Sequence, residues 1–419
     1  MGGLMANAAL FAGILGMKKE VVAHAAGGGG APVRNGGVNG IRDHRQNQVK
    51  DSMQALQEPP RPSFELTTSP HFSAWLAAQC SSLVFTTYQT AKLFLIGLQP
   101  NGRLSIFERT LERVMGLYAT ASTLHLSTLY QLWRFESSLS SGESFNGYDA
   151  VYTPRESRVT GEIDIHDVAV DAEGQVLFSN TLFNCVATFD PHHSFRPVWK
   201  PPWISKLVPE DRCHLNGIAL RDGKLRYVTA VSRSDVTDGW RDKRRGGGVV
   251  VDVEANEVVC EGLSMPHSPR WHAHSNDGRL WLIDSGSGYF GRVDLEKRSF
   301  ERLVFCPGFA RGLAFLGGFA VPGSFAVIGL SDRRENRTFQ DLELEETLRG
   351  HGAEARAGLL VVDLRDFSTP HWVRLGGVVR ELYDVGVLEG VRRPMAVGFQ
   401  TDEIRRYLSF PRGVSPGVG

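Results

Sequence analysis

The sequence predicts an all-β fold, namely a six-bladed β-propeller closed by pairing of its N- and C-terminal strands. Three observations lead to this prediction. Short β-branched and aromatic runs are broken by glycine turns, no long helical periodicity interrupts them, and a core motif recurs six times. The 46 glycines among 419 residues agree with a fold that needs many tight turns.

The apolar runs have the length and composition of strands in an antiparallel sheet. Such runs lie at residues 83–85, 92–96, 176–178, 249–251, 280–283 and 359–362. Glycine turns connect many of them, and the third strand of a unit often ends in aspartate, as at Asp252 and Asp294. A unit built in this way has an apolar face on each side and must stack between neighbours.

The six core segments recur at a nearly constant spacing. They lie at residues 114–119, 165–170, 215–220, 266–271, 310–315 and 382–387. Measured at the second residue of each core, the successive spacings are 51, 50, 51, 44 and 72 residues. Four of these five spacings match the period of about 40–50 residues that is typical of propeller blades. The longest spacing contains a charged insertion at about residues 332–357, which we interpret as a surface loop.

Strands from both ends of the chain are needed to complete the ring. The last core has too few residues after it to form a whole blade, whereas the strands at residues 83–109 precede the first core. Joining both ends in one mixed blade closes the ring and hides the sheet edges. A two-sheet sandwich is the alternative, but it does not explain the regular period.

The predicted organisation is a glycine-rich leader at residues 1–60 followed by the propeller at residues 61–410. The leader has four consecutive glycines at 27–30 and the pair Pro59-Pro60. Such a segment cannot bury enough apolar surface to offset its ordering entropy, so we predict that it is disordered. The ordered part should begin at about residues 64–75, with a short helix packed on the outside.

Charge balance and cysteine pattern narrow the class of partner and compartment. The chain has 46 basic and 46 acidic residues, which argues against a nucleic acid or an anionic membrane as a partner. No run approaches the roughly 18 apolar residues of a membrane span. The five cysteines are scattered and have no C-x-x-C spacing, which favours a reducing compartment. We therefore predict a cytoplasmic protein, with organellar targeting by the leader as the alternative.

The second residue of each core is the main functional signal, because the innermost strand of a propeller blade lines the central channel. These residues are Met115, His166, Asn216, His267, Arg311 and Tyr383. Five of them are polar or ionisable within otherwise apolar strands, which costs free energy unless they meet water, a ligand or each other. We expect their side chains to face one central cavity. A solvated or mutually hydrogen-bonded channel is the alternative interpretation.

The cores resemble the inner-strand motifs of the gluconolactonase and senescence-marker superfamily, six-bladed propellers related to strictosidine synthase. Asn216-Gly217-Ile218-Ala219 resembles a metal-binding strand of that superfamily, and Pro266-His267-Ser268 stands where the next blade supplies an acidic metal ligand. His166-Asp167 takes the place of a substrate-binding asparagine, and Tyr383 the place of a glutamate ligand. The resemblance implies a metal site that lacks the carboxylates preferred by calcium.

From about residue 80 to 405 the chain also resembles a bacterial domain family of unknown function. The sequences at residues 265–272, 312–315 and 379–385 carry this resemblance. It implies a shared fold but supplies no activity.

These features predict a small-molecule or peptide-modifying enzyme with a divalent transition metal in the central funnel. The predicted metal ligands are His166, Asn216 and His267, because paired imidazoles suit zinc, copper or iron better than calcium. The identity of the metal is left open between these three.

Four residues are predicted to act on the substrate or to support those that do. Arg311 binds an anionic group of the substrate, Tyr383 donates a proton, Asp384 assists catalysis, and Asp167 contacts the substrate. Either aspartate can instead orient a metal ligand. The reaction is hydrolytic or redox. The alternative function is a non-enzymatic binding module that holds a ligand or a protein partner in the funnel or at its rim.

Overall fold

Each of the six predicted cores overlaps the innermost strand of its own sheet. The computed structural model describes residues 64–273, 278–318, 321–332, 341–399 and 402–409. Its strands form six sheets of four or five strands. The innermost strands of neighbouring sheets contact one another in a closed cycle around a central channel. The predicted all-β, six-bladed propeller is therefore confirmed.

The N-terminal part of the described chain contributes to two blades. Strand β1 (Phe64–Thr68) belongs to blade 6. Helix α1 (Phe72–Ala78) follows and buries Phe72 and Leu76 against strands of blades 6 and 1. Blade 1 then begins with β2 (Ser81–Thr87), β3 (Lys92–Leu98) and β4 (Leu104–Thr110).

Blades 2 to 5 each contain four consecutive antiparallel strands. Blade 2 contains β5 (Leu117–Ala119), β6 (Thr123–Ser127), β7 (Gln131–Ser137) and β8 (Ala150–Val159). Blade 3 contains β9 (Ile165–Val170), β10 (Val176–Asn180), β11 (Cys185–Thr188) and β12 (Arg196–Trp199). Blade 4 contains β13 (Leu215–Arg221), β14 (Lys224–Ala230), β15 (Gly248–Asp252) and β16 (Glu257–Leu263), with a short 3-10 helix (Arg241–Lys243) before β15. Blade 5 contains β17 (Pro266–Ala273), β18 (Gly278–Asp284), β19 (Tyr289–Asp294) and β20 (Ser299–Phe305).

The last part of the chain forms blade 6 and completes blade 1. Blade 6 contains β21 (Phe309–Gly318), β22 (Val321–Ser331), β23 (Ala357–Asp363) and β24 (His371–Gly377), with helix α2 (Glu343–Gly350) between β22 and β23. The last elements among the described residues are β25 (Val385–Glu389), β26 (Pro394–Ala396) and helix α3 (Glu403–Arg406).

Aspartates at the ends of third strands shape the turns that lead to the fourth strands. Asp252 Oδ1 accepts hydrogen bonds from the backbone N–H groups of Glu254 and Ala255, each at 3.0 Å. A carboxylate that accepts a hydrogen bond from the backbone N–H two residues ahead forms an Asx-turn, which takes the place of a backbone-bonded turn. Equivalent bonds are accepted by Asp190, Asp294 and Asp363. This physical role explains why aspartate marks the blade repeat in the sequence.

Both ends of the described chain contribute to the closure of the ring. The inner strand β25 pairs antiparallel with β2, so blade 1 combines one C-terminal strand with three N-terminal ones. Strand β1 pairs with β24 as a fifth strand of blade 6, and β26 pairs in parallel with β8 as a fifth strand of blade 2. The predicted closure by N- and C-terminal strands is confirmed for β2 and β25, whereas β26, which also lies in the C-terminal segment, joins blade 2 instead of blade 1.

The insertion at residues 332–357 differs from the predicted surface loop. Residues 333–340 lie outside the described residues, but the remainder includes α2, whose Leu344 and Leu348 are buried. The leucines lie four residues apart and therefore share one face of the helix. The charged residues between them hid this apolar face from the sequence interpretation.

The predicted leader at residues 1–60 lies outside the described residues. Among the residues that are described, no helix is both long enough and apolar enough to cross a membrane.

Candidate functional site

Four of the six second-position side chains come together at one end of the channel, which we call the mouth. The rings of His166 and Tyr383 are 5.7 Å apart, measured between centroids. The guanidinium carbon of Arg311 lies 4.9 Å from the centre of the Tyr383 ring. Arg311 and His267 both contact Phe309, at 4.9 and 5.6 Å. Side chains from blades 1, 3, 5 and 6 thus meet although they are far apart in sequence.

His166 and His267 are held in the same way by their own strands. Nδ1 of His166 lies 2.9 Å from the carbonyl oxygen of Asp164, and Nδ1 of His267 lies 2.7 Å from that of Met265. A carbonyl oxygen only accepts hydrogen bonds, so each Nδ1 carries the proton. The other ring nitrogen, Nε2, is then unprotonated in the neutral imidazole and can act as a base or a metal ligand.

Two hydroxyl groups support these rings and join neighbouring blades. Thr181 Oγ1 lies 2.9 Å from Nδ1 of His166 and donates to the carbonyl oxygen of Leu215 on blade 4 at 2.6 Å. Ser285 Oγ likewise lies 2.9 Å from Nδ1 of His267 and donates to the carbonyl oxygen of Ala310 on blade 6 at 2.6 Å. The two histidines are therefore fixed by the same contacts that align adjacent inner strands.

A third histidine, His214, lies against His166 at the mouth. The two rings meet edge to face at a centroid distance of 4.8 Å. Nδ1 of His214 lies 2.8 Å from Oδ2 of Asp211, which also accepts a hydrogen bond from Nε1 of Trp240 at 2.8 Å. The Trp240 ring stacks on His214 at 4.1 Å. We call His166, His214, His267, Arg311 and Tyr383 the mouth cluster.

The sequence interpretation missed the pair formed by Asp211 and His214. Both residues precede the core at 215–220, whereas the predicted functional residues lie within the cores, mainly at their second positions. The available signal was the proximity of His214 to Asn216 in the sequence, since a short irregular segment before an inner strand also reaches the channel.

At two of the second positions, Asn216 and Tyr383, the side chain is almost fully buried, with 3% and 6% of the residue exposed. Nδ2 of Asn216 and Oη of Tyr383 have no hydrogen-bond partner among the residues that the structure describes. A buried donor without a partner costs about 1–3 kcal/mol. A bound molecule that accepts hydrogen bonds would remove this cost. Met115, the remaining second-position residue, is buried and apolar.

Arg311 lies between two aromatic rings, 4.9 Å from the centres of both Phe309 and Tyr383. Aromatic faces attract the guanidinium and hold its plane in a defined orientation. Arg311 is 7% exposed. Such a buried and oriented cation can bind a carboxylate or phosphate group of a ligand.

A layer of three charged residues lies next to the second positions along the channel, and we call it the floor triad: Asp167, Arg270 and Asp384. Nη1 of Arg270 lies 2.8 Å from Oδ2 of Asp167. Its Nη2 lies 3.2 Å from Oδ1 of Asp167 and 3.8 Å from Oδ1 of Asp384. The triad connects blades 1, 3 and 5 across the channel. Arg270 was not singled out in the sequence, although it lies within the core at 266–271.

The two aspartates of the floor triad also bind the inner strands of the following blades. Oδ2 of Asp167 accepts the backbone N–H of Ile218 at 3.0 Å, and Oδ2 of Asp384 accepts that of Leu117 at 2.9 Å. Both amides come directly after a third-position glycine. A side chain on Gly116 would come within 3.2 Å of the Asp167 backbone. The glycines at these two third positions thus allow close approach of the next inner strand, at Asp167 beside Gly116 and at Ser268 and Pro269 beside Gly217.

These contacts bear on the predicted roles of Asp167 and Asp384. Each carboxylate is already bound by a backbone amide of its own blade, a backbone amide of the next blade, and the Arg270 guanidinium. Substrate contact by Asp167 and assistance to catalysis by Asp384 stay predictions. The observed bonds favour a role in positioning His166 and Tyr383, which directly precede them in the chain.

Burial shifts the pKa of three residues at the mouth, namely His166, His267 and Tyr383. It lowers the pKa of His166 to about 4, reinforced by His214 and opposed by Asp164. Burial and the nearby Arg311 hold the pKa of His267 well below its ordinary value. Burial also raises the pKa of Tyr383 well above its ordinary value. At neutral pH, His166 and His267 are therefore uncharged bases, and Tyr383 keeps its proton.

The carboxylates respond to burial and to their partners. Burial would raise the pKa of Asp211, but attraction to His214 and the hydrogen bonds from His214 and Trp240 bring it below the ordinary value. Burial, together with the neighbouring Asp167, raises the pKa of Asp384 to about 7, although Arg270 opposes the shift. Asp211 is therefore ionised at neutral pH.

Helix α2 forms a roof over the mouth. Its Leu344 and Leu348 pack in one apolar cluster with Trp240, Met265 and Phe309, and two of these residues contact mouth-cluster histidines. Ion pairs fasten the helix to blades 4 and 5, namely Arg245–Glu346 at 2.9 Å and Arg302–Glu343 at 2.8 Å. The insertion that was predicted to be a surface loop therefore covers the candidate site.

The fit of a metal ion depends on its chemistry. A calcium-type oxygen cage does not fit the second positions, because no carboxylate is present there and those of the floor triad are bound by Arg270. Among the described residues, no three His, Cys, Asp or Glu side chains are arranged to hold one metal ion. A softer metal would need Nε2 of His166 or His267 and the Asn216 side chain, which is consistent with the protonated Nδ1 atoms.

The comparison with known families agrees with the fold and with the resemblance found in the sequence. A family model described as a domain of unknown function, DUF4915, matches residues 70–397. The chain belongs to this family. The expected membership in an uncharacterised domain family is thus confirmed, and DUF4915 itself supplies no activity. No curated protein has significant sequence similarity to this DUF4915 chain.

Solved structures that align with the DUF4915 chain have low sequence identity. A catalytically inactive virginiamycin B lyase from Staphylococcus aureus with quinupristin is 11% identical over 75% of this chain and 99% of its own, with a TM-score of 0.34. TolB from Acinetobacter baumannii is 12% identical over 75% and 66%, with a TM-score of 0.41. A luciferin-regenerating enzyme is 9% identical over 76% and 97%, with a TM-score of 0.37.

Proposed function

We propose that this protein is an enzyme that acts on a small anionic molecule at the channel mouth through general acid–base chemistry. The observation that carries the proposal is the contact between His166 and His214. Asp211 orients His214 through the hydrogen bond at Nδ1. An imidazole that is fixed by a carboxylate can act as a general base, and a protonated tyrosine in the same buried site can act as a general acid.

Each member of the mouth cluster has a role that follows from its chemistry. Arg311 binds the anionic group of the substrate, since it is oriented between two rings. Nδ2 of Asn216 and Oη of Tyr383 donate hydrogen bonds to oxygen atoms of the substrate. His214 removes a proton, because Asp211 fixes its Nδ1–H and stabilises the imidazolium that forms. His166 and His267 accept hydrogen bonds from substrate hydroxyl groups or from water through Nε2.

Hydrolysis of a small anionic ester, linear or cyclic, is the reaction that this set supports best. His214 takes a proton from water, and the resulting hydroxide adds to the carbonyl carbon. The bond to the leaving oxygen then breaks, and Tyr383 gives its proton to that oxygen. The proton on His214 returns to the tyrosinate, so the enzyme is regenerated and one water molecule is consumed.

A transition-metal enzyme is the second candidate, favoured by the carbonyl bonds at Nδ1 of His166 and His267. Such bonds are typical of histidines that bind a metal through Nε2. Zinc, copper or iron would be held by these two residues with Asn216. When bound, such a metal would lower the pKa of a water molecule and so supply the nucleophile. The side chains of Arg311 and Tyr383 would keep the roles given above.

Hydrolysis of paired chromogenic esters tests the proposal. We expect the purified protein to cleave 4-nitrophenyl hemisuccinate, which carries a carboxylate, faster than neutral 4-nitrophenyl acetate. His214→Gln should lower kcat by at least about a hundredfold, which is the lower end of the rate loss that usually follows removal of an acid–base group. His193→Gln is a matched control, since His193 forms a similar pair with Asp190 at 2.9 Å but on the surface.

Metal content and binding separate the candidates from each other and from a binding module. About one transition-metal ion per chain would favour the metal enzyme, whereas activity that survives chelation would favour metal-free catalysis. A protein that binds succinate through Arg311 but cleaves neither ester would favour the non-enzymatic module. Equal rates for wild type and His214→Gln would contradict the acid–base proposal.

A further inference from the structure

A second polar site lies between blades 2 and 3. In blade 2, four side chains stand in register across the sheet: Tyr118 on β5, His125 on β6, Arg134 on β7 and Glu156 on β8. Each of the other blades has an aliphatic or aromatic residue at the position of His125, opposite the fifth residue of its core. These residues are Val84, Leu177, Tyr227, Trp281 and Val327. A buried histidine therefore replaces an aliphatic or aromatic side chain that fills the corresponding space elsewhere.

The His125 side chain is buried without full hydrogen bonding. The residue is 5% exposed, and its Nδ1 has no hydrogen-bond partner among the described residues. Burial, together with the nearby Arg134, lowers its pKa to about 4, so the imidazole is neutral at physiological pH. Leaving one nitrogen of a neutral imidazole unpartnered is unfavourable. A leucine, as in blade 3, would avoid this cost without leaving the space empty.

His125 lines a cleft of about 630 Å³ between the facing surfaces of blades 2 and 3. This volume lies within the range of about 300–1,000 Å³ that is typical of small-molecule sites. Tyr118 and Phe189 are the aromatic residues among its described lining, which does not include any residue of the mouth cluster. The cleft is therefore separate from the candidate active site.

The charged residues at the outer part of the cleft neutralise one another. Arg134 pairs with Glu136 at 3.0 Å and with Glu156 at 3.3 Å. Arg158 pairs with Glu156 at 2.7 Å. Since two arginines face two glutamates, the cleft has no net charge that would select an ion. Its recognition chemistry consists of aromatic surface, hydroxyl groups and one unpartnered imidazole nitrogen.

We propose that the cleft between blades 2 and 3 is a binding site for a neutral aromatic molecule that hydrogen-bonds to Nδ1 of His125. The aromatic ring would lie in the space beside Tyr118 and Phe189. An amide or hydroxyl group on the ring would bond to the imidazole and so satisfy the buried nitrogen. This site is independent of the proposed acid–base function.

Binding of 4-fluorobenzamide, followed by ¹⁹F NMR, tests this site. We expect saturable binding to the full chain at millimolar concentrations. His125→Leu should raise Kd by about tenfold or more, since one hydrogen bond is lost and the space is filled. The same variant should melt at an unchanged or higher temperature, because leucine occupies this position in blade 3.

Two control variants distinguish this site from others. His193→Leu alters an exposed histidine, and Tyr383→Phe alters the mouth; neither should change Kd. Absence of binding to wild type at millimolar concentrations, or an unchanged Kd for His125→Leu, would overturn the proposal. A large drop in melting temperature or failure of His125→Leu to fold would do so as well, since it would make the imidazole an internal structural group.

Discussion

Arg270 on blade 5 and Asp167 on blade 3 are joined across the channel by two hydrogen bonds, of 2.8 and 3.2 Å. The same guanidinium lies 3.8 Å from Asp384 on blade 1. Because Asp167 and Asp384 directly follow His166 and Tyr383, one arginine fixes the strands that carry two members of the mouth cluster. The spacing of the candidate active site thus depends on a residue that does not belong to it.

Loss of Arg270 should therefore destabilise the protein. Arg270→Met keeps the apolar stem but leaves Asp167 and Asp384 without their cation, and breaking a buried ion pair in this way typically costs about 3–5 kcal/mol. Urea unfolding followed by tryptophan fluorescence measures the change in the free energy of unfolding. Arg292→Met is the control, because the exposed Arg292–Glu301 pair should contribute no more than about 1 kcal/mol. Equal losses for both variants would contradict the proposed role of the floor triad.

Acid should weaken the fold through the buried histidines. The pKa of His166 is lowered from 6.5 to about 4 in the folded state, so the unfolded chain binds more protons between these values. The contribution of His166 to stability is present above pH 6.5 and is lost as the pH falls to about 4, by about 3 kcal/mol. Unfolding free energies of wild type and His166→Asn across this range measure the effect. A variant with the same acid dependence as wild type would contradict it.

Asp384 should have the opposite effect on stability. Its folded pKa is raised to about 7, so the folded state binds more protons than the unfolded state between about pH 4 and 7. Its contribution favours folding at low pH and declines as the pH rises through this range. Asp384→Asn should therefore flatten the loss of stability between pH 5 and 7. The same urea titrations measure this, and an unchanged slope would contradict a raised pKa.

Ring closure should depend on β25 much more than on β26. Truncation after Arg374 removes both strands and part of β24, and should yield an insoluble or non-cooperatively unfolding protein. Truncation after Gly390 removes β26 but keeps blade 1 complete, and should leave a cooperative transition at a lower temperature. Deletion of residues 1–55 should change the melting temperature little. A soluble, cooperatively melting chain that ends at Arg374 would show that β25 is not needed for closure.

If a metal is bound, His267 should be necessary for it. His267→Ala should abolish uptake of zinc, measured by dialysis and elemental analysis, while the circular dichroism spectrum stays unchanged. Uptake by wild type should weaken as the pH falls, because protons compete for the ring nitrogens. Because burial lowers the pKa of both histidines, this loss should occur at a lower pH than the ordinary histidine pKa of about 6.5. Equal uptake by His267→Ala and wild type would contradict the metal hypothesis.

The propeller could be predicted from the sequence because each blade repeats the same physical requirements. The third-strand aspartates form side-chain turns, and the inner strands must be apolar on the faces that meet neighbouring blades. Those requirements produce a period that survives although the cores differ in detail. The second positions could be recognised as candidate channel residues because polar residues there interrupt the otherwise apolar inner strands.

Residues outside the repeat could not be predicted in this way. His214 and Asp211 lie in an irregular segment, and only the folded chain brings them to His166. The role of Arg270 depends on aspartates that are 103 and 114 positions away in the sequence, so no local pattern reveals it. The buried face of α2 was hidden because its two leucines stand among four glutamate and arginine residues.

The closure of blade 1 also determines when this fold can be completed during synthesis. A ribosome releases the N-terminal strands β2, β3 and β4 first, and they lack an inner strand until β25 has emerged. Blades 2 to 6 must therefore form, or remain unfolded, next to an incomplete blade 1 while almost three hundred further residues are translated. We call the gap between the incomplete blade 1 and its neighbours the seam. The apolar surfaces at that seam are open to other nascent chains throughout this period. Cells that make the protein should need a chaperone that shields the unfinished blade, and ribosome profiling of chaperone-bound complexes should find its engagement ending only after residue 389 has left the exit tunnel.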